Sequence, residues 1–208
     1  RDTAMQTAIP RRHALALLAA VAAAMPVASA WAVDAGAQAR SFVTMFGSKL
    51  VAVVNSGQPL EKKKQDIQPL LEQYVDVDAI ARYCLGRYWR TATPDQQARY
   101  ITLFHQVLVN AITDKIGDYR GVTFVVGSSV PSGDDTAVST VINRPGQPGA
   151  DTQWIISTAN GSPKVVDVVG EGASLRLTQR QDYGSFIARN GGVDALLHAL
   201  DKQIANHH

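Results

Sequence analysis

Two carboxylates are the side chains in this sequence that could most readily take part in chemistry. They lie in one short stretch, Val165-Val-Asp-Val-Val-Gly-Glu-Gly-Ala-Ser-Leu175. Asp167 interrupts a β-branched run typical of a buried strand, where an unpaired carboxylate is costly. It is therefore either a general base in a pocket or a structural group satisfied by an arginine or a backbone turn, and we favour the structural role. Glu171 lies between Gly170 and Gly172, and we expect it to be a cap or a surface group.

The other candidates for chemistry are one thiol and a few histidines. Cys84 lies in an apolar helical pattern, which predicts a buried, unreactive thiol, and it has no disulfide partner. His105 and His198 fall in predicted helices, at the surface or the core edge, without the pattern of a metal site. The sequence contains no Gly-rich phosphate loop, no His-Glu-x-x-His and no nucleophile elbow. We expect no catalytic residue, no metal and no cofactor.

The N-terminus has the pattern of an export signal. Arg11-Arg12 precede an apolar run over residues 14–27, and small-x-small cleavage patterns end at Ala30 and Ala32. The run of about 14 residues is shorter than the roughly 20 that a membrane-spanning helix needs. We predict a removed signal peptide at 1–32 and a periplasmic protein.

Charge and length bound the remaining chain, residues 33–208. The whole sequence has 20 basic and 18 acidic residues, and the predicted signal takes three arginines and one aspartate with it. The remainder therefore has no net charge, which gives no argument for nucleic-acid binding. About 176 residues are enough for a single domain with one apolar core.

Hydrophobic periodicity predicts an α+β fold with helices at both ends and a sheet between them. The predicted helices cover 37–55, 59–75, 77–85, 94–116, 174–190 and 193–204. Pro69 is expected to break or kink the second helix, Asp76 can cap the third, which Gly86 closes, and Thr93-Pro-Asp-Gln96 is a capping box for the fourth. The predicted strands cover 122–126, 136–142, 153–158 and 164–169, with connections too short for crossover helices, so the sheet is antiparallel.

Four stretches in consistent order make the chain resemble the MlaC/toluene-tolerance family of exported phospholipid-binding proteins. They are Val75-Asp-Val-Asp-Ala-Ile-Ala81, Leu85-Gly-Arg-Tyr-Trp-Arg-Thr-Ala-Thr-Pro94 with Gln96-Gln97, Tyr119-Arg-Gly121 and Val166-Asp-Val-Val-Gly-Glu-Gly-Ala-Ser-Leu175. The tail Thr178-Gln-Arg-Gln-Asp-Tyr183 with Asn190-Gly-Gly192 is more similar to the hopanoid-associated HpnM branch. The expected cargo is therefore a phospholipid, a hopanoid or another polyprenoid lipid.

The resemblance implies N-terminal helices, a curved four-stranded antiparallel sheet and C-terminal helices that enclose an apolar pocket for acyl chains. It also implies transient docking and handover between an inner-membrane ABC transporter with an MCE-type subunit and an outer-membrane lipoprotein complex. We predict that apolar side chains contact the lipid: Leu71, Val75, Ile80, Tyr88, Trp89, Phe104, Leu108, Ile112, Val138, Ile155 and Val168. Arg87 and Arg90 are expected either near a phosphate headgroup or, as we favour, in surface ion pairs.

Two other functions stay open at this point. One is a small pocket enzyme of isomerase or hydrolase type with Asp167 as base, which requires a titratable carboxylate facing a polar cavity. The other is a binding module with a filled core that acts only in assembly. A lipid carrier instead requires a nearly all-apolar interior.

Overall fold

A computed structural model describes residues 27–207, with side chains from Asp34 onward. The helices are α1 Val27–Val54, α2 Leu60–Tyr74, α3 Val77–Leu85, α4 Pro94–Asp114, α5 Leu175–Asn190 and α6 Val193–Ala205. The strands are β1 Thr123–Ser132, β2 Asp135–Asn143, β3 Ala150–Ser157, β4 Lys164–Gly170 and β5 Ala173–Ser174. Most of the predicted signal peptide lies outside the described residues, so its cleavage stays a prediction.

Side-chain caps set two of the helix boundaries that the sequence predicts. Asp76 Oδ1 accepts the N–H of Ala79 at 3.0 Å, and Gly86 ends α3 with a positive φ of 59°. At the start of α4, Thr93 Oγ1 accepts the N–H of Gln96 at 3.2 Å, and Gln96 Oε1 accepts the N–H of Thr93 at 2.9 Å. The predicted cap and capping box are confirmed.

The predicted break of the second helix at Pro69 is wrong, because α2 continues through Pro69 as one helix, while the kink stays a prediction. Pro69 removes the hydrogen bond to the carbonyl of Gln65, but both residues are exposed, so water can solvate that carbonyl. Ile67 and Leu71, on either side of the proline, are buried and anchor the helix to the core. Tertiary packing thus offsets the local cost of the proline.

The sheet is an antiparallel meander in the order β1-β2-β3-β4-β5. The four predicted strands are present, and the two-residue β5 is additional. β1 is longer than predicted, because a bulge between Val126 and Ser129 lets pairing resume as far as Ser132. Pro131 is tolerated in this strand because β1 is an edge, where a missing N–H costs no ladder bond.

Strand register determines which residues share a face of the sheet. Val138, Trp154 and Val168 are cross-strand partners and lie on the inner face, toward α1 and α2. Ala137 and Ile155 are also partners and lie on the outer face. Successive residues of a strand point to opposite faces, so this register decides which apolar residues meet the helices.

Two main apolar clusters fill the space between the elements. The helical cluster joins α3, α4, α5 and α6 through the buried residues Val77, Ala81, Cys84, Leu85, Ala92, Tyr100, Phe104, Tyr183, Ile187, Val193, Leu196, Leu197 and Leu200. The sheet cluster joins α1, α2 and the inner face of the sheet through Ala39, Phe42, Val43, Phe46, Val54, Ile67, Leu71, Ile116, Val122, Val138, Ile156 and Val165. Within residues 27–207, the helices lack the apolar length that a bilayer crossing requires.

Candidate functional site

The eleven apolar residues predicted to contact lipid divide between the clusters. Those in or against the helical cluster are Ile80, Tyr88, Trp89, Phe104 and Leu108. Those in or against the sheet cluster are Leu71, Ile112, Val138 and Val168. Val75 packs against both clusters. The two halves of the predicted site therefore belong to two separately packed bodies of side chains that meet near Val75.

The meeting zone has a defined position along the chain. On α4, Leu108 packs against the helical cluster and the adjoining Val109 packs against the sheet cluster. We call Val75, Leu108, Val109 and Ile112 the cluster boundary. All four are apolar and only half-buried. The accessible part of these side chains can take further apolar contacts, which would remove more of their surface from water.

The link between α2 and α3 ties the cluster boundary to the sheet. Val75 forms an isolated parallel bridge with Val165 of β4, and the N–H of Asp76 donates to the Val165 carbonyl at 2.9 Å. Asn160 Nδ2 donates to Asp76 Oδ2 at 2.8 Å. Because Asp76 also caps α3, one residue connects the sheet to the start of the helical cluster.

Ile155 is separated from the other ten predicted residues. It packs with Ala137 and Val166 on the outer face of the sheet, in a third and smaller cluster. The structure therefore does not bring Ile155 to the helix-covered interior. The reason is strand alternation: Ile155 follows Trp154, which points inward, so Ile155 points outward.

An aromatic group of the sheet cluster was missed by the sequence prediction. The ring of Phe46 lies 5.9 Å from that of Trp154, edge to face, and 5.2 Å from that of Tyr74. Trp154 Nε1 donates to Thr140 Oγ1 at 3.1 Å, so the half-buried indole packs against the sheet cluster with its N–H satisfied. Alternation along β3 would have found Trp154, since it shares the face of Ile156.

Two concave regions open to solvent lie elsewhere. One, of about 410 Å³, is on the outer face of the sheet beside Val125, Ser139 and Gln153. The other, of about 510 Å³, is at the end of α1 beside Lys63 and Arg120. Neither is lined by any of the eleven predicted residues, which pack against their own clusters.

Asp167 is held as a structural group. The residue is only 5 % exposed. Oδ1 accepts the N–H groups of Val168 at 2.8 Å and Arg176 at 3.1 Å, while Oδ2 accepts the Ser174 hydroxyl at 2.5 Å and lies 3.5 Å from Arg176 Nε. This confirms the predicted arginine and backbone-turn partners. Glu171 is exposed in the adjoining turn, with a φ of 52°.

The remaining candidates for chemistry are also satisfied. Cys84 is buried, its Sγ donates to the Arg176 carbonyl at 3.5 Å, and burial, with a smaller effect of the Asp167 charge, raises the pKa of the thiol to about 12. The thiol therefore stays protonated at neutral pH and is a poor nucleophile. His105 Nε2 lies 2.7 Å from Asp78 Oδ1 at the surface. Across residues 27–207, no group of three or more His, Cys, Asp or Glu side chains is arranged to hold a metal ion.

The fold and this interior define a class: an α+β protein in which helices cover one face of an antiparallel sheet over a largely apolar interior. The family model described as MlaC protein matches residues 44–202, and the chain belongs to the MlaC family. It is similar to a solved phospholipid-binding protein from Ralstonia solanacearum in complex with a phospholipid, with 23% sequence identity and a TM-score of 0.70. The match covers 81% of this chain and 97% of that chain. It confirms the α+β fold over both helices and sheet.

Proposed function

We propose that this protein binds a phospholipid by inserting acyl chains between the helical cluster and the sheet cluster, at the cluster boundary. The observation that carries the proposal is that Val75, Leu108, Val109 and Ile112 are apolar, pack against one or both of the two clusters and are only half-buried. Membership of the MlaC family and the phospholipid in the similar Ralstonia protein support the same ligand class.

The energetics favour opening at this boundary. Each cluster is internally well packed, so separating the two exposes only their shared surface and leaves both interiors intact. Each buried methylene contributes about 0.8 kcal/mol, so a chain of about 15 methylenes contributes about 12 kcal/mol. That gain is large enough to offset a limited separation of α4 from the sheet. Lipid entry is then an exchange of side-chain contacts for hydrocarbon contacts.

Binding of this kind supports transport between membranes. A free lipid crosses water slowly because all its methylenes must be exposed, whereas a carrier replaces the bilayer by its own apolar interior. We propose that the domain at 33–208 acts in the periplasm after removal of the signal peptide at 1–32. Its proposed partners are an inner-membrane ABC transporter with an MCE-type subunit and an outer-membrane lipoprotein complex, as the family resemblance implies.

The enzyme alternative has less support. A general base needs a free acceptor facing its substrate, whereas both carboxylate oxygens of Asp167 are occupied by Val168, Ser174 and Arg176. Cys84 is held as a protonated thiol. We therefore propose reversible lipid binding, in which no covalent bond is broken.

Mass spectrometry of an organic extract from purified, detergent-free protein tests the proposal. We expect phospholipid in the wild-type extract; this measurement also separates phospholipid from hopanoid cargo. Leu108→Glu places a charge at the cluster boundary and should abolish lipid co-purification, because burying an unpaired carboxylate against acyl chains is costly. Val125→Glu is the matched control, since Val125 is 60% exposed on the outer face of the sheet.

The possible results are distinct. Wild-type protein without lipid, even after incubation with phospholipid vesicles, would overturn the proposal and favour a binding module with a filled core. Lipid in Leu108→Glu at the wild-type level would remove Leu108 from the site. Circular dichroism of both variants shows whether the fold survives each substitution.

A further inference from the structure

Five arginines lie on α3, α5 and the 3₁₀ turn Gly86–Arg90, and we call them the arginine face: Arg82, Arg87, Arg90, Arg176 and Arg180. The guanidinium groups of Arg176 and Arg180 lie 4.5 Å and 5.0 Å from the ring centre of Tyr83 on α3. Arg180 also lies against the start of the turn, where a Cβ on Gly86 would meet its Nε at 2.9 Å. The two helices and the turn are therefore contiguous at this surface.

Aromatic rings of the turn hold Arg87 and Arg82 in place. The Arg87 guanidinium lies 4.9 Å from the ring centre of Tyr88 and donates to its hydroxyl at 2.9 Å. The Arg82 guanidinium lies 5.7 Å from the ring centre of Trp89. A guanidinium supported by a ring keeps its charge and its outward donors while losing side-chain freedom. Binding an anion then costs less ordering entropy.

The arginine face has a surplus of positive charge. Arg176 pairs with Asp167 and Arg82 pairs with Asp78, at 3.5 Å and 3.6 Å. For Arg87, Arg90 and Arg180, no carboxylate among residues 34–207 lies within ion-pairing distance. The favoured surface ion pairs of Arg87 and Arg90 are thus not formed with the described residues. Because residues 33–208 carry no net charge, this surplus is local and can orient the protein.

Exposed apolar side chains adjoin these charges. Leu175 and Leu177, which flank Arg176 in the first turn of α5, are 58% and 42% exposed. Tyr88 and Trp89 of the turn are half-buried. Cations together with exposed leucines and amphipathic aromatic rings match the boundary between lipid headgroups and acyl chains, where each group finds its preferred environment. An acidic protein surface would satisfy the arginines but would leave the leucines without apolar partners.

We propose that the arginine face docks the protein onto bilayers that contain anionic phospholipids. The occupant is the membrane surface, recognised through phosphate groups by Arg87, Arg90 and Arg180 and through the acyl boundary by Leu175 and Leu177. This docking is separate from acyl-chain binding at the cluster boundary, because its test changes none of the boundary residues. Lipid content by mass spectrometry and vesicle binding therefore report on the two proposals independently.

Vesicle flotation tests the docking. The probes are vesicles of phosphatidylcholine alone and of phosphatidylcholine with phosphatidylglycerol, at about 0.05 M and about 0.5 M NaCl. A basic side chain near an anionic membrane contributes about fivefold in partition, so Arg87→Gln, Arg90→Gln and Arg180→Gln together should lower partition about 100-fold. The matched control removes the same charge elsewhere, through Lys49→Gln, Arg120→Gln and Lys202→Gln, all exposed. The wild type and both triple variants are prepared with the same N-terminal residues, so any binding of those residues to the vesicles is equal in all three proteins.

We expect wild type and control to bind the mixed vesicles at low salt, and the arginine variant to bind them weakly. Equal binding to both vesicle types, equal loss in the control triple, or undiminished binding of the arginine variant would each overturn the proposal. No wild-type binding to vesicles would overturn it too and would leave an acidic protein as the partner. If circular dichroism shows that the triple variant does not fold, the single variant Arg90→Gln is tested instead. We expect it to lower partition onto the mixed vesicles about fivefold, and undiminished partition would overturn the proposal.

Discussion

Removing the Asp167 carboxylate tests whether this residue has a structural role. In the wild type, Oδ1 accepts two backbone N–H groups, from Val168 and Arg176, and Oδ2 accepts the hydroxyl of Ser174. The same carboxylate pairs with the Arg176 side chain, and Ser174 caps α5 by accepting the N–H of Leu177 at 3.1 Å. Asp167→Ala therefore removes the support of β4, the turn and the α5 cap together.

The expected cost follows from these contacts. Breaking one side of a buried ion pair costs about 3–5 kcal/mol. Because the Arg176 side chain is 25% exposed, solvent compensates part of its lost partner, so we expect about 3 kcal/mol for Asp167→Ala. Asp167→Asn keeps one oxygen that can accept the two backbone N–H groups. It places an NH₂ group where the Ser174 hydroxyl needs an acceptor, so we expect it to lower the free energy of unfolding by about 1–3 kcal/mol.

Equilibrium unfolding in guanidinium chloride, followed by circular dichroism, measures these costs. Asp151→Ala is the matched control, since Asp151 is exposed on the neighbouring strand and pairs with no described basic group. We expect the control to lie within about 0.5 kcal/mol of the wild type. An Asp167→Ala protein as stable as the control would refute the structural role and revive a functional one.

Further predictions concern titration, reactivity and capping. Burial raises the pKa of the Cys84 thiol to about 12 and raises the pKa of the Tyr100 and Tyr183 phenols above their ordinary range. The unfolded chain releases these protons at lower pH than the native protein does, so the free energy of unfolding should fall as pH rises above about 9, by about 1.4 kcal/mol per pH unit per titrating group. An unchanged denaturant midpoint between neutral and strongly alkaline pH would contradict this. Iodoacetamide should alkylate Cys84 far more slowly in the native protein than in denaturant, as mass spectrometry can show. Thr93→Ala removes the hydroxyl that accepts the Gln96 N–H and should cost about 1 kcal/mol of stability in the same unfolding assay; a cost below about 0.3 kcal/mol would show that the cap contributes little.

Part of the candidate site could be predicted from the sequence, because it depends on which types of residue are present and not on where the fold places them. The apolar character of Val75, Leu108 and Ile112 and the lack of a catalytic motif are visible in the chain itself. Their division into two clusters is not, since it depends on how α4 lies across the other helices and the sheet. The arginine face could not be predicted from the sequence for the same reason. Tyr83 and Arg180 are almost a hundred positions apart in the chain and come into contact only in the folded protein.

The sequence alone determined the features that arise within a few residues. The cap at Asp76, the capping box of Thr93 and Gln96, and the antiparallel connections all depend on local hydrogen bonds and short turns. Tertiary structure alone decided that α2 passes through Pro69 and that Ile155 packs with Ala137 and Val166 in a cluster separate from the other predicted residues. These outcomes depend on which surfaces become buried, and burial energy is set by partners that are distant along the chain.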